Sequence, residues 1–379
     1  MNHESSITPF VDIHVHPTLK TYLLRRTFTK RHRTTGWWNP LTMRVDLPKI
    51  RKGGVNVIVS SIYLPERDLF YDCRYLRYFM RIVRPKLSKR IIDGDPFEET
   101  MRMMDHEEQY IRKANEKDAA GIQMANTKFE LDEILRRGEI AVLRSIEGSH
   151  SLAGKIDNLE VFFERGVCLF TLGHFYETEA VCTTAGIPSK MKKFGCFKNN
   201  RDSDCGLKKF GEEVVERMIE LGMLIDLTHS TPLARERIYQ INSGMGNAKR
   251  PLIFSHVGVR TFADHQMNPD DEEIRTIAET GGLIGVIFMN YWLTDNNRVK
   301  NGRDIILKTI RHIRKVGGID SIAIGSDFDG FTDPPDDIKD ISKMQKLREW
   351  LSQDGFADEE VRKITGENFM RVLQEGWLK

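Results

Sequence analysis

Histidines and carboxylates recur where short apolar runs of the sequence end. The first run, FVDIHVH, holds two histidines, and later runs end in IEG, LGH, LTH, FSH and GSD. Imidazole and carboxylate groups are side chains that bind zinc and related divalent metals. Five of the eleven histidines end four of these runs. The set consists of His14, His16, Glu147, His174, His229, His256 and Asp327.

A lone histidine at the end of a strand is more often structural than metal-binding. That explanation would have to hold separately at each run, so the repeated pattern favours a metal site. His150 and His265 lie close enough to these positions to be weaker candidates. Asp12, Asp226 and Asp329 stand beside the candidate ligands, and we expect them to support ligands rather than to bind metal.

The apolar runs themselves predict a (β/α)8 TIM barrel. Their nearly continuous apolar character is typical of parallel strands that are buried on both faces, and helix-like segments follow most of them. In such a barrel the carboxyl ends of the strands converge on one mouth, where active sites form. A doubly wound open sheet is the alternative, but the GxGxxG turn that it often carries is absent from the sequence. The eight runs are residues 10–16, 55–63, 139–148, 167–174, 223–229, 251–256, 282–290 and 321–327.

The length of the chain fits one hydrolase domain over residues 1–379, since barrels with insertions reach about 400 residues. We expect two insertions, at roughly 64–138 and 175–210. The first has helical periodicity, and the second is polar, without a period, and predicted to form a loop over the active-site face.

Composition indicates an ordinary globular protein, with 40% hydrophobic and 30% charged residues and a net charge of +2. This balance gives no reason to expect nucleic acid or an anionic membrane as a partner. No apolar run approaches the roughly 20 residues of a membrane span, and the first residues lack the pattern of a secretory signal.

The five cysteines are an odd number without CxxC spacing. We therefore expect Cys182, Cys196 and Cys205 to be free thiols rather than a metal site, and the protein to be cytoplasmic.

Seven segments together resemble the membrane (renal-type) dipeptidase family, peptidase family M19 of the amidohydrolase superfamily. In order they are VDIHVH, SIEG, TLGH, GLKKFGEEVVERMIELGMLIDLTH, PLIFSH, GSDFDG and KITGENFMRVL. The resemblance covers most of the chain. It implies a (β/α)8 barrel with two divalent ions, usually zinc, that hydrolyses a dipeptide with a hydroxide bridging the ions. It also suggests a homodimer.

The resemblance implies a ligand role for five residues. His14 and His16 would bind one metal ion. His229 and His256 would bind the second ion, and Glu147 would bridge both.

Two further residues would take part in the reaction. By the same resemblance, Asp327 would be the acid and base beside the bridging water, and His174 would stabilise the oxyanion.

Three positions depart from the family pattern. His16 stands where relatives have an aspartate, so the metal pair would carry one more positive charge. Met267 stands where the family has the Arg that holds the substrate's terminal carboxylate, and Met289 stands in place of a Tyr. Arg260 and Tyr291 are the nearby residues predicted to bind the substrate instead.

The sequence therefore predicts a metallodipeptidase-like amidohydrolase that acts on a dipeptide or another small molecule. An enzyme for a different amide, an N-acyl amino acid, a cyclic amide or a lactone is the alternative. A non-catalytic metal-binding barrel is a third reading. The joint presence of Glu147, His174 and Asp327 argues against it, because a binding module needs no acid/base and oxyanion donor.

Overall fold

The computed structural model describes residues 8–35, 39, 41–118, 121–184, 205–294 and 301–379. Within them, eight parallel strands pair in the order β1-β2-β4-β5-β6-β7-β8-β9, and β3 pairs with β4 outside this path. The strands are β1 (Val11–Val15), β2 (Val57–Tyr63), β3 (Ile122–Met124), β4 (Ile140–Glu147), β5 (Val167–Thr171), β6 (Leu224–Asp226), β7 (Leu252–Val257), β8 (Leu283–Val286) and β9 (Ile322–Ile324).

The barrel closes between its first and last strands. The backbone N–H of Asp327 donates to the carbonyl oxygen of His14, and the N–H of His16 donates to that of Phe328, both at 2.9 Å. Every residue of β2 and β4 is buried, as expected for parallel strands with both faces covered. Each of the eight predicted runs overlaps one of the barrel strands, so the predicted TIM barrel is confirmed.

Helices surround the barrel, and several begin at a side-chain cap. Asp46, Thr231 and Asp270 each accept a hydrogen bond from a backbone N–H in the first turn of the helix that follows. The helices are α1 (Pro17–Leu24), α2 (Leu47–Gly53), α3 (Arg67–Asp72), α4 (Arg74–Val83), α5 (Pro85–Asp93), α6 (Pro96–Asp118), α7 (Lys128–Arg136), α8 (Asp157–Glu164), α9 (Lys209–Leu221), α10 (Pro232–Gly244), α11 (Asp271–Glu279), α12 (Asn290–Leu293), α13 (Gly302–Gly317), α14 (Met344–Gln353), α15 (Asp358–Arg362) and α16 (Asn368–Gly376).

The segment from 64 to 138 holds five helices, α3 to α7, as its periodicity predicts, and also the short strand β3. β3 pairs with residues 140–142 of β4, whereas β5 pairs with β4 only from Arg144 onward. β3 was not predicted because it is not a continuous apolar run: Gln123 is polar, and only Ile122 is fully buried.

The expectation of free thiols is wrong for two cysteines at the ends of the second insertion. Cys182 and Cys205 form a disulfide with their Cα atoms 5.7 Å apart. Cys196 and the rest of residues 185–204 lie outside the described residues. Because disulfides are rare in the cytosol, the cytoplasmic location loses the support of reduced thiols and stays a prediction.

The barrel interior is filled by aliphatic side chains from successive strands, including Val57, Leu143 and Leu283. At Gly285 and Gly325 a Cβ atom would overlap the carbonyl oxygen of Ser255. Glycine there lets β8 and β9 approach the end of β7, which carries His256. None of the helices in the described ranges is long and apolar enough to span a membrane.

Candidate metal centre

The predicted metal and catalytic residues meet at the mouth of the barrel. They come from the carboxyl ends of six strands, and none is more than 5% exposed. The register of β1 against β2 shifts between Asp12 and Val15, so strict alternation ends before the histidine pair. The residues brought together are His14, His16, Glu147, His174, His229, His256 and Asp327.

Glu147 lies at the centre of the cluster. Its Oε1 atom is 3.5, 3.4 and 3.6 Å from the Nε2 atoms of His14, His229 and His256. Both carboxylate oxygens are buried, and the described residues supply no hydrogen-bond partner for either. A buried anion without partners is costly, so this arrangement fits a carboxylate that is meant to bind cations.

The second oxygen of Glu147 faces the other side of the mouth. Oε2 is 3.5 Å from Nε2 of His16 and 3.7 Å from Nε2 of His174. His16 Nε2 also lies 3.2 Å from Oδ1 of Asp327. Asp327 is therefore close enough to His16 for the two side chains to contact one ion.

The imidazoles form two close pairs. Nε2 of His14 and Nε2 of His16 are 3.0 Å apart, and those of His229 and His256 are 3.1 Å apart. Two imidazole nitrogens this close face each other with lone pairs unless a proton or a metal ion lies between them. Two pairs with Glu147 between them fit two divalent ions, because nitrogen and carboxylate donors suit zinc and related metals.

Burial and neighbouring charges set the protonation of the cluster. Burial alone would raise the pKa of Glu147, but the facing His174 and His14 hold this pKa well below its ordinary value. Burial also lowers the pKa of His256 well below its ordinary value. An anionic carboxylate and a neutral imidazole are the forms that bind metal.

The pKa of His16 shifts in the opposite direction from that of His256. Burial lowers its pKa, but the hydrogen bond to Asp327 and the negative charge of Glu147 outweigh burial and raise the pKa overall.

A polar chain behind the mouth orients His256. Nδ1 of His256 is 2.7 Å from Oγ of Ser255, which donates to Oδ2 of Asp226 at 2.5 Å. This network assigns the ring proton to Nδ1 and leaves Nε2 free to face the cluster. Asp226 thus reaches His256 through one hydroxyl, in the supporting position expected from the sequence.

A second buried carboxylate, Glu66, was missed by the sequence analysis. Its Oε1 atom lies 3.0 Å from Nδ1 of His174, and it also accepts from the hydroxyl of Tyr63. Burial alone would raise the pKa of Glu66, but the neighbouring His174 lowers it to about 2. A signal was present in the sequence, since Glu66 follows the one early barrel strand to which no site residue was assigned.

The backbone is strained at two of the site residues. His229 and Asp327 have φ values of 68° and 56°, in the left-handed region that non-glycine residues rarely adopt. Such strain persists where the surrounding structure holds it, and it is concentrated at functional sites.

Other candidate residues lie elsewhere. Asp329 accepts hydrogen bonds from the backbone N–H groups of Arg44 and Val45 rather than from a site histidine. Nε2 of His150 is 2.7 Å from the carbonyl oxygen of Leu64. The backbone N–H of Met267 donates to Nδ1 of His265. None of these residues belongs to the described metal-binding groups.

A cavity of about 340 Å³ opens above the cluster. Tyr291, Trp292 and Met289 line it. Arg260 does not line it; its Nη1 atom is 3.1 Å from Oδ2 of Asp270. Met267 is fully buried and likewise absent from the lining.

Comparison with known proteins places the chain among metallopeptidases. The model of the membrane dipeptidase family (peptidase family M19) matches residues 5–376. A metallopeptidase from Rhodobacter sphaeroides, solved with a phosphinate mimic of L-Ala-D-Ala, aligns with a TM-score of 0.77 at 20% identity, over 97% of this chain and 99% of its own.

Two further solved structures share the fold. The metallopeptidase dipeptidase AC of family M19 aligns with a TM-score of 0.75 at 19% identity, over 97% of this chain and 98% of its own. An amidohydrolase from Pseudomonas aeruginosa aligns with a TM-score of 0.70 at 19% identity, over 98% of this chain and 97% of its own.

Proposed function

This chain belongs to the membrane dipeptidase family, peptidase family M19, and we propose that it hydrolyses the amide bond of a dipeptide or dipeptide-like compound with two zinc ions. As a member it is a metal-dependent, dipeptidase-like hydrolase. Zinc, the number of ions and the residue roles given below belong to the proposal.

The observation that carries the proposal is the position of Glu147 between two imidazole pairs. One oxygen is 3.5 Å from His14 and the other is 3.5 Å from His16. His229 and His256 approach the first oxygen from the other side. Because the carboxylate has two oxygens and no hydrogen-bond donor, it suits a bridge between two cations.

Each residue at the mouth would have a distinct task. His14 and His16 would hold one ion, His229 and His256 the other, and Glu147 both. When bound, two zinc ions supply a hydroxide near neutral pH and polarise the scissile carbonyl as Lewis acids.

Asp327 would accept the proton of the attacking water and deliver it to the leaving amine. Its carboxylate is 5% exposed and points at the same space as His16, which gives it access to both positions. Because Asp327 lies close to His16, it would also supply the negative charge that the family's aspartate at position 16 would bring to the ligand set.

His174 would stabilise the oxygen on which negative charge develops. Glu66 at Nδ1 holds the ring with Nε2 towards the cavity. When Nε2 is protonated, the Glu66 carboxylate compensates the positive charge of the ring, and Nε2 can then donate to that oxygen.

Metal analysis and a substrate panel test the proposal. We expect chelated protein to regain activity with two equivalents of zinc, and to cleave L,L- or L,D-dipeptides. The same dipeptides with an acetylated N-terminus or an amidated C-terminus serve as controls for recognition of the charged ends. Failure to bind more than one equivalent, or to cleave any amide in the panel, would contradict the proposal.

A further inference from the structure

The cavity above the metal centre has a polar floor and an apolar wall. The floor consists of the site residues, among them Glu147, His174 and Asp327. Above them, the lining residues are almost all aliphatic or aromatic. In the described part of the chain, neither a lysine nor an arginine lines this cavity. Wall residues include Leu23, Leu69, Phe70, Leu76, Phe175 and Trp292.

The first insertion builds much of this wall. Leu69 and Phe70 belong to α3, and Leu76, Phe79 and Met80 belong to α4. These helices follow β2 and extend over the mouth of the barrel, so the wall is not part of the barrel itself. The end of α1 adds Leu23 and Leu24 from the other side.

The apolar character continues to the entrance. Leu41, Phe79 and Phe331 line the cavity and are 47%, 50% and 39% exposed, so they form its rim. Apolar side chains that stay in contact with water around a concave site are typical of ligand-binding surfaces.

Such a wall is poorly suited to the two charged ends of a short dipeptide. A carboxylate or ammonium group that leaves water without a partner is costly. Met267, which stands in place of the family's carboxylate-binding Arg, is buried outside the lining. In contrast, each methylene of an apolar chain gains about the same favourable free energy when it is buried against such a wall.

We propose that the substrate is an amide bearing a long apolar group, a fatty acyl chain or an alkyl side chain of similar length, which lies along this wall. The amide itself would lie on the polar floor. Hydrolysis of that amide rests on the proposed function, whereas binding of the chain to the wall does not.

Binding to metal-free protein tests the wall alone. The probes are N-acetyl-, N-hexanoyl- and N-decanoyl-L-alanine, titrated by calorimetry below their micelle concentrations. We expect the affinity to rise about fourfold for each added methylene that is buried. A decanoyl compound that binds no more tightly than the acetyl compound would overturn the inference.

Two variants of α4 distinguish the cavity from the outer surface of the helix. Phe79 lines the cavity and is half-exposed, whereas Ile82, three residues later, is 81% exposed and not part of the lining. We expect Phe79→Ser to weaken decanoyl-alanine binding about fivefold and Ile82→Ser to leave it unchanged. Equal losses in both variants would assign the chain to the outer surface and contradict the inference.

Turnover by the zinc-loaded enzyme separates the inference from the proposed function. The substrates are the N-acyl-alanines and X-Ala dipeptides in which X is alanine, norleucine or 2-aminodecanoic acid. A rise of kcat/KM with chain length in either series supports both. Cleavage that is independent of length contradicts the inference alone. Length-dependent binding without cleavage of any amide contradicts the proposed function alone.

Discussion

The two faces of strand β4 each bury a charged residue, and the two residues differ in their partners. Arg144 points away from the barrel axis, and its Nε donates to Glu107 at 2.7 Å. Its two other nitrogens donate to the carbonyl oxygen of Arg165 and to Glu108, at 2.8 and 3.2 Å. Three residues later, Glu147 points into the mouth, and none of the described residues donates a hydrogen bond to it.

This difference separates a structural ion pair from a functional site. A buried charge is tolerated in a stable fold when its polar atoms have hydrogen-bond partners, as at Arg144, where each of the three guanidinium nitrogens donates to an acceptor. Glu107 also accepts from Thr18 at 2.8 Å, so that ion pair joins α1, α6 and β4. Glu147 has facing imidazoles but no hydrogen-bond donor among the described residues, and this arrangement fits a bound cation. Burial therefore cannot identify a functional residue unless its partners are counted as well.

The largest expected effect is on activity at the mouth. We expect Glu147→Ala to lower kcat/KM about a thousandfold or more, because the one carboxylate among the described residues that faces both imidazole pairs is lost. In chelated protein the variant should be nearly as stable as the wild type, because removing the carboxylate removes its burial cost together with its attraction to His174 and His14. Thermal unfolding in chelator measures this, with the exposed Glu98→Ala as control. A strongly destabilised apo variant would contradict the comparison.

On the other face of β4, a substitution should change the stability of the fold. We expect Arg144→Met to lower the free energy of unfolding by about 3–5 kcal/mol, because Glu107 is left buried and unpaired. Denaturant titration measures the loss. The matched control is Arg112→Met, which removes an exposed pair with Glu116 and should cost no more than about 1 kcal/mol. Equal stability of the two variants would remove the distinction between the faces.

The partner of His174 should have an intermediate effect. We expect Glu66→Gln to lower kcat about 10- to 100-fold, because the amide cannot compensate positive charge on the ring. KM and the circular dichroism spectrum should change little. Asp68→Asn, two residues along the same segment, is the control. Full activity of Glu66→Gln would show that His174 needs no carboxylate.

Lys20 extends the comparison to a third buried ion. Burial lowers its pKa from 10.5 to about 8. Between these values the unfolded chain binds the proton more tightly, so this group makes stability rise as pH increases from 8 to 10.5. The stability of Lys20→Met relative to wild type should therefore fall across this window. Unfolding midpoints at several pH values measure it, and a pH-independent difference would contradict the lowered pKa.

The strands and the metal residues could be predicted because both depend on local patterns. Each barrel strand is a continuous apolar run, and each site residue stands where such a run ends. The convergence of these ends follows from the barrel topology. β3 escaped prediction because its central residue, Gln123, interrupts the apolar run and only Ile122 is fully buried.

The remaining site features depend on contacts between distant parts of the chain. Glu66 reaches His174 across 108 positions of sequence. The disulfide joins Cys182 to Cys205, against the expectation of free thiols. Arg260, expected near the substrate, pairs with Asp270 away from the cavity.

The sequence by itself determined the barrel and which residue types stand at its rim, because strand periodicity and strand ends are properties of consecutive residues. Only the tertiary structure decided that Glu147 has no hydrogen-bond partner among the described residues, whereas each guanidinium nitrogen of Arg144 has one. It also decided that α3 and α4 cover the mouth with apolar side chains. These features arise from packing between segments far apart in the chain. A local sequence pattern does not determine the free energy of such packing.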